Sequence, residues 1–311
     1  MLPLLYRTVT VRGFSWHVGA SRVLCSFWLL VALSCDRGHE PAAAVGTGVR
    51  VASLSPGVTA TIVALGAEAR LVGRTPWCET TGSAAVVGTL LDLDAEALVR
   101  SLPTVIVVQP PAQGVDPSLA QLAQAHGWVM VPVRIDSLAD VRALIPRLCE
   151  AIVDQSIDGD REALAARAAA LDARFNEALA PLPEVQQAGR VLVILATNES
   201  ADPMAFGVGT YLGDFVQSIG ATNALSDAGY PALSVEELVR SGADTLVVLG
   251  SQGDEAAAQL RAAMPKAFVC TLRSQSLVQP GAGMIDGLLQ LRAKIASASA
   301  YHVQAKRSPN P

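Results

Sequence analysis

From residue 49 onward, short apolar runs alternate with stretches of helical periodicity, and this alternation restricts the chain to layered α/β architectures. The runs at 49–54, 71–73, 104–108, 128–133, 190–195 and 245–249 read as strands. Between them, 59–65, 95–100, 117–126, 138–153, 211–219, 236–240 and 284–297 read as helices. Ser55-Pro56-Gly57 introduces the first helix, with Ser55 as N-cap and Pro56 at the first helical position.

The segment 160–179 consists almost wholly of good helix formers with apolar residues three and four apart, and Pro181 and Pro183 stop it. On either side of it one pattern recurs. Ala95-Glu-Ala-Leu-Val-Arg-Ser-Leu-Pro-Thr-Val-Ile-Val-Val108 and Val235-Glu-Glu-Leu-Val-Arg-Ser-Gly-Ala-Asp-Thr-Leu-Val-Val248 both read as helix, tight turn and buried strand. Whether an internal repeat or two instances of a common unit, they imply two similar α/β lobes with short parallel sheets. A long rigid backbone helix joins the lobes, and a ligand cleft lies between them. The expected boundaries are 49–154 for the first lobe, 155–183 for the backbone helix, 184–300 for the second lobe and 301–311 for a disordered tail.

The N-terminus differs. Arg7, Arg12 and Arg22 precede the apolar run 23–33, a cationic segment and core of the length of a secretory signal, below the ~20 residues that span a bilayer. Ala32-Leu33-Ser34-Cys35 and the polar stretch after it resemble a bacterial lipoprotein signal, with Ala32 where such signals usually carry Leu. That resemblance implies a signal peptide over 1–34, lipidation of Cys35 and a flexible tether over 35–48. A plain cleaved signal and an uncleaved anchor are the alternatives, and all three put the body outside the cytoplasm.

Composition excludes several classes. The chain has 311 residues, 51% hydrophobic and 16% charged, with a formal net charge of -5. Two cores are affordable, and nothing forms the basic stripe that nucleic acid demands. No apolar run of the body approaches the ~20 residues of a membrane span, so the body is expected to be soluble; it is also expected to be a monomer. His17, His39 and His302 fall in the signal, tether and tail, which leaves His126 in the body, at a helix end where a dipole role suffices. No Gly-x-Ser-x-Gly elbow appears, and a multi-histidine metal site is not available. Cys78, Cys149 and Cys270 are an odd number of body thiols, so at least one stays free.

Five segments, in order, carry a resemblance: 51–66 (VASLSPGVTATIVALG), 71–79 (LVGRTPWCE), Val87-Gly-Thr with Leu93-Asp-Ala-Glu-Ala-Leu98, 206–223 (FGVGTYLGDFVQSIGATN) and 230–238 (YPALSVEEL). Together they resemble the substrate-binding proteins of iron-chelate and cobalamin ABC importers over about residues 49–298. The resemblance implies no catalysis and no cofactor. It implies capture of a metal chelate (cobalamin or another corrinoid, a ferric siderophore or heme) and delivery to the transmembrane permease of an ABC importer.

The same resemblance places Ser55, Pro56 and Thr59 on the cleft wall and Trp77 as an aromatic face against the ligand. It makes Glu96 and Glu236, one per lobe, the carboxylates that pair with permease arginines, with Asp94 and Glu237 beside them. Cys78 and Glu79 flank Trp77 as further ligand contacts, a single Cys without a matching His being a weak metal site. Gln109 and Gln113 follow a strand at its carboxyl end, where open α/β sheets bind ligands. Topology alone adds Met204, Phe206 and Arg273 from the second lobe. Leu90, Gln109 and Ser274 stand where cobalamin binders are aromatic, which argues against naming one chelate. Two other readings are a binder of another small organic solute and a lipid-anchored hydrolase using Cys78.

Overall fold

A computed structural model describes residues 48–80, 82–197 and 202–307. The expected signal peptide, Cys35 and the tether before Gly48 therefore lie outside the described residues, as do 198–201 and 308–311.

The first lobe begins with β1 (Val51–Ser53), α1 (Pro56–Ala64), β2 (Leu71–Arg74) and β3 (Ala85–Val86). It continues with α2 (Ala95–Arg100), β4 (Val105–Val108), α3 (Pro117–His126), β5 (Val129–Pro132) and α4 (Leu138–Ile152). Its sheet runs β3-β2-β1-β4-β5, and every pair is parallel. Central strands β1 and β4 are buried throughout, which is why they read as unbroken apolar runs.

α5 (Asp160–Leu179) links the halves. One stripe of it, Leu164, Leu171, Phe175 and Ala178, is buried. At its start Asp160 pairs with Arg70, and Arg167 Nη1 donates to the Leu65 carbonyl at 3.0 Å, both in the first lobe. At its end Arg292 donates to the carbonyls of Glu177 (3.1 Å) and Ala180 (3.0 Å) from the second lobe, and Arg174 pairs with Asp286.

The second lobe comprises β6 (Arg190–Leu195), β7 (Met204–Ala205), α6 (Tyr211–Ser218), β8 (Thr222–Asn223) and α7 (Val235–Arg240). After these come β9 (Thr245–Leu249), α8 (Gly253–Ala263), β10 (Phe268–Thr271) and α9 (Ile285–Arg307). β10, β9 and β6 form a parallel core in that order, and β6 is flanked on its other side by antiparallel β7 near its end and parallel β8 near its start.

Two expectations need correction. The last helix does not stop at 297 but continues to Arg307, so 301–307 is helical rather than a disordered tail. Tyr301 packs on Phe268 with ring centroids 5.3 Å apart, and His302 Nε2 lies 3.3 Å from Thr245 Oγ1, which ties this last stretch to the sheet. α8 was also not expected, because its Ala-rich sequence buries only Gly253, Ala257 and Leu260 and leaves a faint apolar stripe.

The lobes meet where α1 begins. A Cβ on Gly57 would stand 1.9 Å from the Pro280 carbonyl oxygen, so only glycine permits this approach. The Ala282 N–H donates to Thr61 Oγ1 at 2.9 Å, and Thr61 donates to the Gly57 carbonyl at 2.8 Å. A second joint brings the Asp136 carbonyl to two donors of the second lobe, the Tyr211 N–H (3.1 Å) and the Tyr230 hydroxyl (3.2 Å).

Candidate ligand-binding cleft

Parallel strands bring their carboxyl ends to one edge, and in the first lobe that edge gathers most of the expected residues. β1 delivers Ser55, β2 delivers the turn Thr75-Pro76-Trp77-Cys78, and β4 delivers Gln109. The Cys78 N–H donates to the Thr75 carbonyl at 3.2 Å and closes the turn, with Pro76 at its second position as turns favour. Trp77 follows at the third position and is 63% exposed. Arg74 Nη1 donates to the carbonyls of Thr75 (3.2 Å) and Cys78 (3.4 Å), clasping the turn from outside.

Beneath Trp77 lies a buried polar chain. Thr75 Oγ1 is 3.1 Å from Cys78 Sγ, Sγ is 3.0 Å from Thr59 Oγ1, and Thr59 Oγ1 is 2.8 Å from Ser53 Oγ. Ser53 donates to the Ser55 carbonyl at 3.0 Å, and the Ser55 hydroxyl donates to Gln109 Oε1 at 3.1 Å. The chain thus crosses β2, β1 and β4. Ser55 occupies the N-cap position of α1 but does not cap it with its side chain, because its hydroxyl turns to Gln109.

The expected wall residues divide accordingly. Ser55, Thr59 and Cys78 are buried, so Thr59 and Cys78 lie under the wall and not on its surface. Pro56 and Gln109 are partly exposed, and Glu79 is exposed. Gln113 is exposed as well and lines a separate pocket of about 390 Å³ with Leu90, Leu91 and Pro111. The partners of the Cys78 thiol are hydroxyls, none of them a base that would ionise it for nucleophilic attack. His126 stacks on Trp128 with ring centroids 4.7 Å apart, at the end of α3.

In the second lobe the carboxyl ends of β6, β9 and β10 line a pocket of about 550 Å³ with Leu195, Thr197, Gly250, Ser251, Arg273 and Ser274. Gln275 and Val278 extend it toward Pro280, whose carbonyl oxygen lies against Gly57 at the start of α1. Arg273 is exposed and pairs with Asp254, whose carboxyl it holds below the usual range by hydrogen bonding. Met204 is half-buried on β7. Phe206, expected at the ligand, is instead 1% exposed, its ring edge-on to Tyr211 and Tyr230. Gly250 and Ser251, which line this pocket, are not among the expected residues, although their place directly after buried β9 is a sufficient signal.

Glu96 and Glu236 are exposed on α2 and α7. Asp94 caps α2 by accepting from the Ala97 N–H (2.8 Å), and Ser234 with Glu237 forms a reciprocal capping box on α7. Capping is thus done by neighbours, and neither Glu96 nor Glu236 is needed for it. Glu96 makes an i,i+4 pair with Arg100 at 3.2 Å.

No protein-family model matches the chain, and no curated protein matches it significantly. Solved structures do. The periplasmic heme-binding protein BhuT in complex with two hemes superposes with a TM-score of 0.64 at 22% identity, covering 80% of this chain and 98% of that one. The heme-binding protein RhuT from Roseiflexus sp. RS-1, in apo form, gives 0.62 at 20%, covering 81% and 99%. The vitamin B12-binding protein BtuF of Vibrio cholerae gives 0.62 at 18%, covering 81% and 97%. The chain has their two-lobed fold. Among the described residues no helix is long and apolar enough to cross a membrane, and no group of three or more His, Cys, Asp or Glu is placed to hold a metal ion.

Proposed function

We propose that this chain is the extracytoplasmic solute-binding component of an ABC importer, capturing a metal chelate of the heme, corrinoid or ferric-siderophore kind between its lobes. The observation that carries the reading is Trp77, a large ring 63% exposed on a fastened turn at the carboxyl edge of the first sheet. An exposed indole offers a large apolar face with an N–H handle, which suits a planar or apolar partner. Trp77, Gln109 and Arg273 supply a ring, an amide and a guanidinium, which suit the organic periphery of a chelate: its plane, its amides and its carboxylates. The heme and B12 binders that share the fold support the ligand class.

Export by the N-terminal segment, anchoring through Cys35 and docking of Glu96 and Glu236 on the permease complete the proposal. No step of it requires catalysis.

The test is a titration of the full chain with hemin, cyanocobalamin and ferrichrome, followed by absorbance and by quenching of tryptophan emission. One of the three is expected to bind at micromolar concentration or tighter, and Trp77→Phe is expected to remove most of the quenching and weaken binding. Absence of binding by all three sinks the chelate assignment.

A further inference from the structure

We propose that Cys78 is a positioning residue: its thiol locks the turn that presents Trp77 to the buried hydroxyl chain, and so sets the geometry of the aromatic platform. The proposal rests on the reading of Trp77 as a ligand contact and goes beyond it in assigning what holds that contact in place.

A cysteine that only fills space sits among apolar groups, as Cys270 does in the core of the second lobe. Cys78 does not. It is 5% exposed, and its sulfur lies within hydrogen-bonding reach of two hydroxyls from two different elements, Thr59 on α1 and Thr75 at the start of the turn. Both threonines are buried too, so neither hydroxyl has water to fall back on. Thr59 has one proton for two acceptors, Ser53 Oγ and Cys78 Sγ. Thr59 donates to one of these at a time, Thr75 Oγ1 and Cys78 Sγ can each donate to the other, and the proton of Ser53 goes to the Ser55 carbonyl. Every hydroxyl then has a partner, and the Ser55 hydroxyl adds a separate bond to Gln109. Removing the sulfur leaves Thr75 and Thr59 partly unsatisfied and frees the turn from α1 on the side that Arg74 does not reach. Trp77 would keep its exposure and lose its fixed orientation, and orientation is what a stacking platform contributes to binding.

The test uses the full chain labelled with 5-fluorotryptophan, with the Trp77 ¹⁹F resonance assigned by its loss in Trp77→Phe. Cys78→Ala is expected to broaden or shift the Trp77 resonance and leave that of Trp128 unchanged. Affinity for whichever of hemin, cyanocobalamin or ferrichrome binds should fall about threefold to tenfold. Cys78→Ser keeps a donor and acceptor and should restore both readouts. Thr59→Val, with Thr59→Ser as its rescue, repeats the comparison from the other side of the contact if Cys78→Ala fails to fold. An unchanged Trp77 resonance in Cys78→Ala overturns the proposal, as does equal loss of affinity in Cys78→Ala and Cys78→Ser. If no chelate binds the parent chain, the ligand reading falls, and the resonance of the ligand-free protein still decides the role of the thiol.

Discussion

Gly57 and Gly281 meet backbone to backbone across the lobes: a Cβ on Gly281 would lie 2.2 Å from the Gly57 carbonyl oxygen, and one on Gly57 would lie 1.9 Å from the carbonyl oxygen of Pro280. Such distances leave no room for a methyl group, and the atoms in the way are backbone, which cannot turn aside. Gly57→Ala and Gly281→Ala are each expected to destabilise the fold by about 1–3 kcal/mol through forced separation of the lobes. Gly283→Ala, whose added methyl would meet the Ala60 side chain at 3.0 Å, is expected to cost less. Urea unfolding of the three variants checks the order; equal midpoints for all three would show that the joint yields freely.

Leu102 and Gly242 occupy the same place in the two helix-turn-strand units, and both have left-handed backbones, at φ 51 and 63. Glycine adopts that conformation without penalty, whereas for leucine it costs roughly 1–2 kcal/mol, offset in part by the roughly 0.5–1 kcal/mol of chain entropy that glycine gives up. The Leu102 side chain is 47% exposed and contributes modest burial. Leu102→Gly is therefore expected to stabilise the protein by about 0.5 kcal/mol, and Gly242→Leu to destabilise it by about 0.5–1.5 kcal/mol, its added Cβ also meeting Arg190 Nη1 at 3.1 Å. Thermal melting of the pair checks the opposite signs.

How legible the molecule is in its sequence depends on how many faces an element buries. β4 and β9 are covered on both faces and read as unbroken apolar runs, while α5 reads through its composition and two terminating prolines. β3, β7 and β8 have two residues each, too few for any period to register. In the site, sequence order places a residue at the cleft and does not aim its side chain. Trp77 and Cys78 are neighbours with opposite fates, because a turn exposes its third residue and tucks its fourth against α1. Phe206 lies in the expected stretch and yet turns inward to Tyr211 and Tyr230, which no local pattern announces.

Acid should loosen the first lobe at the start of α5. Hydrogen bonds from Ser156 hold the Asp154 carboxyl below its usual range, and the Arg70 guanidinium does so for Asp160. Asp154 in turn accepts from the Val49 N–H at 3.1 Å, and Asp160 accepts from the Asp154 N–H at 2.8 Å. A carboxyl whose folded pKa lies below its unfolded value favours folding when charged. That contribution is complete above the unfolded value of about 4 and is lost as pH falls through the lower folded values. The urea midpoint is thus expected to drop steeply below about pH 4, and Asp160→Asn to lower the midpoint at pH 7 and flatten the acid slope. A slope unchanged by Asp160→Asn would mean that other carboxyls dominate.

Under the role proposed above, Glu96 and Glu236 are the residues that would separate binding from delivery. Each stands on a six-residue helix whose cap is made by other residues, with a buried leucine two positions on, Leu98 or Leu238, fixing the helix to its lobe. Beyond a dipole interaction at the helix start and, for Glu96, a solvent-exposed pair with Arg100, the glutamates contribute little to folding, so their charge is open to a partner. Exposed charges of this kind govern encounter and register with a complementary surface, and their effect weakens with salt. Glu96→Arg and Glu236→Arg are each expected to cut importer-dependent chelate uptake by about tenfold, and the double variant to abolish it. Affinity of the isolated protein for hemin, cyanocobalamin or ferrichrome should stay within about twofold of the parent, because both helices keep their caps and the cleft is untouched. Uptake in cells producing the cognate permease, set beside solution titrations of the same variants, reads the two quantities separately. Full uptake by the double variant would reduce both glutamates to ordinary helix-terminal residues.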